Sequence, residues 1–223
     1  MSEPSADGQD ASSAGSTVTR AQRGRPVGAS GEETRRRIVA ATMRCVATVG
    51  YARATIREIA RTADVSSASL YNYFPNKSEL MNAAVAARTD IAVPRLRRAA
   101  ARPGDAIARL EAVLDESGRL MREYPDLAAF EWVIRAENAI AVDATATSGF
   151  QAFREIIDSI VEDAVREGGL ARGADRRGVA EAIYALIYGL TESAATLAPE
   201  DYHAALVSAR DLIRGTLLAA SRA

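Results

Sequence analysis

The chain has 223 residues, 48% of them hydrophobic and 26% charged, with a formal net charge of −1, which is enough for one large or two small domains. It lacks any run of about 18 apolar residues, and its N-terminus has no apolar segment behind a basic start, so neither a membrane-spanning helix nor a secretory signal is expected. With one cysteine and one histidine it offers neither an intramolecular disulfide nor a recognisable metal constellation, so a cytoplasmic protein without metal or cofactor is expected.

The overall neutrality conceals a gradient. Between Arg20 and Lys77 ten arginines and one lysine face only Glu32, Glu33, Glu58 and Asp64, whereas both flanking segments are net negative. A basic segment inside a neutral chain points to a local polyanion-binding surface.

Residues 1–30 are small, polar and aperiodic, and read as a disordered arm. Arg23-Gly24-Arg25-Pro26 within it can either lay Arg23 and Arg25 into an A·T-rich minor groove or add only non-specific phosphate attraction. The first helix is expected from about Glu32 to Val49, with Ile38, Ala41, Thr42, Cys45 and Val46 inward and Gly50 ending it. Thr55 can N-cap a second helix, with Glu58 completing a capping box. Asp64-Val65-Ser66 breaks the pattern, and Ser66 can cap a third helix of two turns, from Ser67 to Tyr73. So short a helix must be held by Leu70 and Phe74 packing inward, which turns Ser67, Ser69, Tyr71 and Tyr73 largely outward. Pro75 ends it and Asn76 caps the next.

A connecting helix follows from Lys77 to about Arg98, which Pro94 can kink or end. Further amphipathic helices are expected at about 105–123, 125–140, 147–167, 175–197 and 199–220. The last two are apolar over more than one face, with small residues among large ones, which suits homodimerisation through a four-helix bundle. No strand pattern or internal repeat stands out. The expected fold is all-α: an arm over 1–30, a three-helix helix-turn-helix domain over 31–76, and a larger helical domain over 77–223 that serves dimerisation.

The segment from Ile38 to Leu80 resembles the DNA-binding domain of TetR-family transcriptional regulators. The likeness rests on Gly50-Tyr51, Thr55, Ile59-Ala60, Val65-Ser66, Leu70-Tyr71, Tyr73-Phe74, Lys77 and Leu80, and covers about a fifth of the chain. It implies double-stranded DNA as partner, a homodimer joined through the last two helices, and an effector pocket in the larger domain. By that resemblance Thr55, Tyr71, Tyr73 and Lys77 are phosphate-contacting positions, and Arg57 is a candidate to read guanine. Ser67, Ala68 and Ser69 stand where such recognition helices often carry a basic or amide residue and a Gly or Pro. They discriminate bases weakly, so shape and paired half-sites gain importance.

Phe130, Trp132, Phe150, Phe153, Tyr184 and Tyr188 are the aromatic residues best able to line a cavity for a small lipophilic effector; ordinary core packing is the other reading of each. There is no Gly-rich phosphate loop, nucleophile elbow or histidine beside a nucleophile, so an enzyme is not expected. The expectation is a ligand-responsive repressor acting on a pseudo-palindromic operator. A ligand-independent architectural DNA-binding protein and a transcriptional activator are the alternatives.

Overall fold

The computed structural model describes the backbone of residues 27–136 and 144–215, and the side chains of residues 30–134 and 151–215. Every regular element among them is a helix. Arg23 and Arg25 lie outside the described residues, as does the side chain of Phe150.

Helix α1 (Val27–Arg53) starts five residues before the expected Glu32. Its apolar periodicity begins only at Ile38, so this first stretch is a solvated extension, supported by Arg36 pairing with Glu32 and Glu33 at 4.0 and 3.5 Å. At Gly50 the backbone turns to φ 81°, ψ 163°. That conformation is open to glycine at little cost and breaks the helix at the expected place.

Thr55 caps α2 (Ile56–Thr62), its hydroxyl accepting from the Glu58 amide at 3.2 Å. The Glu58 carboxylate is engaged by Arg61 one turn on. Asp64 takes a left-handed φ of 54° in the turn, a conformation that Asp tolerates better than most residues. Ser66 then caps α3 (Ser67–Tyr73), accepting from the Ser69 amide at 3.0 Å. Loss of such a cap costs about 1 kcal/mol, a large share of what holds a helix of two turns. The rest comes from Leu70 and Phe74, 0% and 3% exposed, packed with Ile38, Val46, Ile59 and Ala63.

Asn76 caps α4 (Lys77–Ala100), which runs through Pro94. The ring removes only the bond to the carbonyl four residues back, and buried Val93 and Leu96 on either side hold the helix. Then follow α5 (Ala106–Glu123), α6 (Pro125–Ala136), α7 (Ala144–Arg166), α8 (Arg176–Thr196) and α9 (Pro199–Arg214).

Two apolar cores result. One gathers α1 to α3, the first half of α4, and Phe130 and Ile134 from α6. The other joins the second half of α4 to α5, α7, α8 and α9. Helix α6 packs along α1 and also against α8, so it belongs to both halves of the molecule.

Candidate DNA-binding surface and effector cavity

The surface of α3 follows from its packing. With Leu70 buried, the exposed residues are Ala68, Tyr71 and Asn72, at the spacing of one helical face. Tyr71 is 51% exposed. Ser67, Ser69 and Tyr73, expected to turn largely outward, are only half-exposed. The Tyr73 ring packs on the core, and its hydroxyl lies against the start of α1, where a methyl added at Gly31 would sit 4.0 Å away. Asn72 was not singled out from the sequence. Its place one turn beyond Ala68 is the signal that could have found it, and its amide is of the type that pairs bidentately with adenine. Thr55 and Arg57 are exposed at the start of α2.

Lys77 is held from the other side. Its Nζ donates to the Tyr51 carbonyl at 2.6 Å and lies 4.2 Å from the centre of the Tyr51 ring. The ammonium thereby ties the first residue of α4 to the segment after Gly50. Arg37 fastens the same small domain, its Nε donating to the Ala63 carbonyl at 2.9 Å, and Arg35 lies over the Phe74 ring at 5.1 Å. Cys45 is buried and its thiol donates to the Thr62 hydroxyl at 3.2 Å.

The second feature is a cavity in the larger core, walled by residues of α4 to α9. Phe153, Tyr184 and Tyr188 line it, with Leu96, Leu114, Met121 and Leu206 among the apolar walls. Two of the aromatic residues expected here stand elsewhere. Phe130, 1% exposed, points the other way along α6 into the DNA-binding core. Trp132 is half-exposed outside the lining, its ring 6.3 Å from that of Tyr188. Periodicity shows that a residue on α6 is buried, but not which of two cores receives it.

The cavity volume is about 40 Å³. That admits a water molecule or two, whereas drug-sized ligands need on the order of 300 Å³ or more. An effector therefore has to part the helices or turn side chains such as Met121 and Phe153.

The lining carries one charged pair. Arg88 of α4 donates through Nε to Glu131 Oε2 at 2.9 Å, with Nη2 at 2.5 Å from the same oxygen. Both side chains are under 10% exposed. Such a pair gives little net stability, because desolvation offsets the attraction, but removing one partner costs about 3–5 kcal/mol. Ser117, Tyr184, Tyr188, Thr191 and Tyr202 also belong to the lining. Burial pushes the Tyr202 phenol above its ordinary range, so it stays a neutral donor. Among the described residues no group of three His, Cys, Asp or Glu could hold a metal ion, and no helix is long and apolar enough to cross a membrane.

In the larger domain, Ala182 and Ala185 of α8 are exposed and nothing lies within 4 Å of a methyl added at Gly189. Val207 and Leu212 of α9 are 40% and 50% exposed. His203 is exposed on α9.

Comparison with known proteins agrees with this arrangement. Residues 38–84 match the family described as bacterial regulatory proteins, tetR family. The HTH-type transcriptional repressor KstR of Mycobacterium tuberculosis (strain ATCC 25618 / H37Rv) is 33% identical over 139 residues, 61% of this chain and 60% of the relative. KstR of Mycolicibacterium smegmatis (strain ATCC 700084 / mc(2)155) is 30% identical over 136 residues, 61% of this chain and 65% of the relative. The chain thus spans less than two thirds of these curated relatives. Among solved structures, the transcriptional regulator FadR from Bacillus subtilis in complex with stearoyl-CoA superposes with a TM-score of 0.69 at 19% identity, covering 82% of this chain and 99% of that one. A TetR-family regulator from Rhodococcus sp. gives 0.68 at 24%, covering 81% and 98%. These last two likenesses bear on the fold. Residues 38–84 thus match the helix-turn-helix segment of the tetR family of regulators, and the described helices share the fold of solved regulators of that family.

Proposed function

We propose that the protein is a ligand-responsive transcriptional repressor that binds a pseudo-palindromic operator as a homodimer and releases it when a small lipophilic molecule enters the larger domain. The observation that carries this reading is α6, which puts Phe130 and Ile134 into the DNA-binding core and Leu127 and Glu131 into the cavity wall. A ligand that widens the cavity by displacing α4 or α6 moves a helix that also packs in the DNA-binding core. Only differential affinity for the two arrangements is needed.

On DNA, Ala68, Tyr71 and Asn72 face the major groove, Arg57 supports base reading, and Thr55 and Lys77 meet phosphates, with Ser67, Ser69 and Tyr73 at the margin. Residues 31–76 form the DNA-binding domain and 77–223 the effector and dimerisation domain. The exposed small and apolar residues of α8 and α9 support pairing through these helices, since Ala182, Ala185 and Gly189 permit close helix approach. The repressor KstR relatives and the stearoyl-CoA complex of FadR support repression and a lipophilic effector.

The test is binding to the DNA flanking the protein's own gene, with random DNA as competitor at near-physiological salt. Competitor-resistant binding of two protomers per site is expected. Affinity no better than for random DNA would point instead to an architectural role or a distant target.

A further inference from the structure

The charged pair in the cavity wall constrains the effector. The charged side chains of its lining are Arg88 and Glu131, which together are neutral and already bonded to each other. A ligand carboxylate entering here has two courses. It can share Arg88 with Glu131, placing two anions on one guanidinium away from water, or it can displace Glu131 and leave that carboxylate in apolar surroundings. Each leaves a buried charge uncompensated. A ligand cation meets the same difficulty at Glu131. An uncharged oxygen avoids both, because it can take a hydrogen bond from the guanidinium edge without breaking the pair. Apart from Ser117 and Thr191 the rest of the wall is hydrocarbon and aromatic, which favours an apolar body.

We propose that this site, read as the effector pocket, selects an uncharged lipophile bearing a carbonyl or hydroxyl oxygen beside the Arg88–Glu131 pair, and rejects the corresponding free carboxylate. Esters, thioesters, ketones and alcohols belong to the accepted class.

The full-length protein carries a reporter, since Trp132 is its sole tryptophan and its ring lies 6.3 Å from that of Tyr188 on the cavity wall. Methyl oleate, oleate and 1-octadecene serve as probes, titrated below their aggregation limits and followed by Trp132 fluorescence and calorimetry. The wild type is expected to bind methyl oleate at least about tenfold more tightly than oleate or 1-octadecene, a difference of about 1.4 kcal/mol. Glu131→Gln leaves the guanidinium uncompensated and is expected to reverse the order of ester and carboxylate. Should that variant fail to fold, Arg88→Met/Glu131→Leu replaces the pair by apolar groups, an exchange that buried pairs often tolerate. The double variant is expected to bind methyl oleate and 1-octadecene alike.

Tighter binding of oleate to the wild type overturns the inference while leaving the pocket reading intact. So does an unchanged order in Glu131→Gln, or a retained ester preference in the double variant. If no probe binds the wild type or any variant, the pocket reading fails and the inference falls with it.

Discussion

Phe130 and Glu131 are consecutive residues of α6, each almost fully buried, yet they are buried in different cores: Phe130 packs among the residues of α1 to α4, and Glu131 pairs with Arg88 at the cavity wall. Adjacent helical side chains diverge by about 100°. One backbone can thus touch the effector site and the DNA-binding domain at once, and a rotation of α6 is felt on both sides. Phe130→Ala is expected to lower stability by about 3–5 kcal/mol through lost burial and the cavity left behind, read by urea denaturation. The smaller change Phe130→Leu tests coupling. It should leave DNA affinity and ligand affinity near wild type but reduce the ligand-induced drop in DNA affinity severalfold. An unaltered drop would place the transmission in α4 alone.

Local signals in the sequence were strong wherever backbone chemistry sets the structure. Thr55, Ser66, Asn76 and Asp105 each precede a helix and each caps it, because an oxygen one or two bonds from Cβ has few better partners than the free amides of a first turn. Gly50 and Asp64 likewise mark the two breaks of the DNA-binding domain. Pairing across long separations was less legible. Nothing in a periodic pattern tells Arg88 that its carboxylate lies 43 residues ahead, or tells Phe130 which core will enclose it. The same holds for α3, where amphipathicity placed Leu70 but gave no sign that the start of α1 would lie against the Tyr73 hydroxyl.

Lys77 shows how a residue can hold two roles. Its contact with the Tyr51 carbonyl and ring fixes the junction between α1 and α4, while an ammonium has three donors and can also meet a phosphate at the helix N-terminus. Lys77→Ala is expected to weaken binding equally on specific and random DNA and to lower the slope of log affinity against log salt by about one. Salt titration on two DNA sequences measures it. A lowered melting temperature with an unchanged slope would leave the lysine a purely structural part.

Acid should weaken the larger domain. Hydrogen bonding from Arg109 holds the Asp163 carboxyl below its ordinary range, and Arg95 does the same for Glu123. Burial alone would raise Glu116, but Arg95 and Arg119 outweigh it and its carboxyl is also held low. A depressed folded pKa contributes stability above the unfolded value and loses it as pH falls through the folded one. The melting temperature should therefore change little from these groups between about pH 7 and 5 and fall below about pH 4.5. Arg95→Met, which removes the partner shared by Glu116 and Glu123, should make that fall shallower. An identical acid profile would mean that solvent screens these partly exposed pairs into insignificance.

Gly118 lies buried on α5 where α9 crosses it, and a methyl there would come within 2.5 Å of Leu206 Cδ2. Alanine improves helix propensity by about 1 kcal/mol, against an overpacking cost of about 1–3 kcal/mol. The clash is with the end of a flexible side chain, so the net loss should sit near the lower end, about 1 kcal/mol by denaturant titration. The functional effect should be larger than the structural one. Leu206 also lines the cavity, and the displaced isobutyl group has that space as an outlet, in a site that already has to widen to admit a ligand. Gly118→Ala is therefore expected to keep operator binding near wild type and to weaken effector binding by tenfold or more. Equal affinity for methyl oleate in the two proteins would mean that Leu206 yields away from the cavity, and that the ligand enters between other helices than α5 and α9.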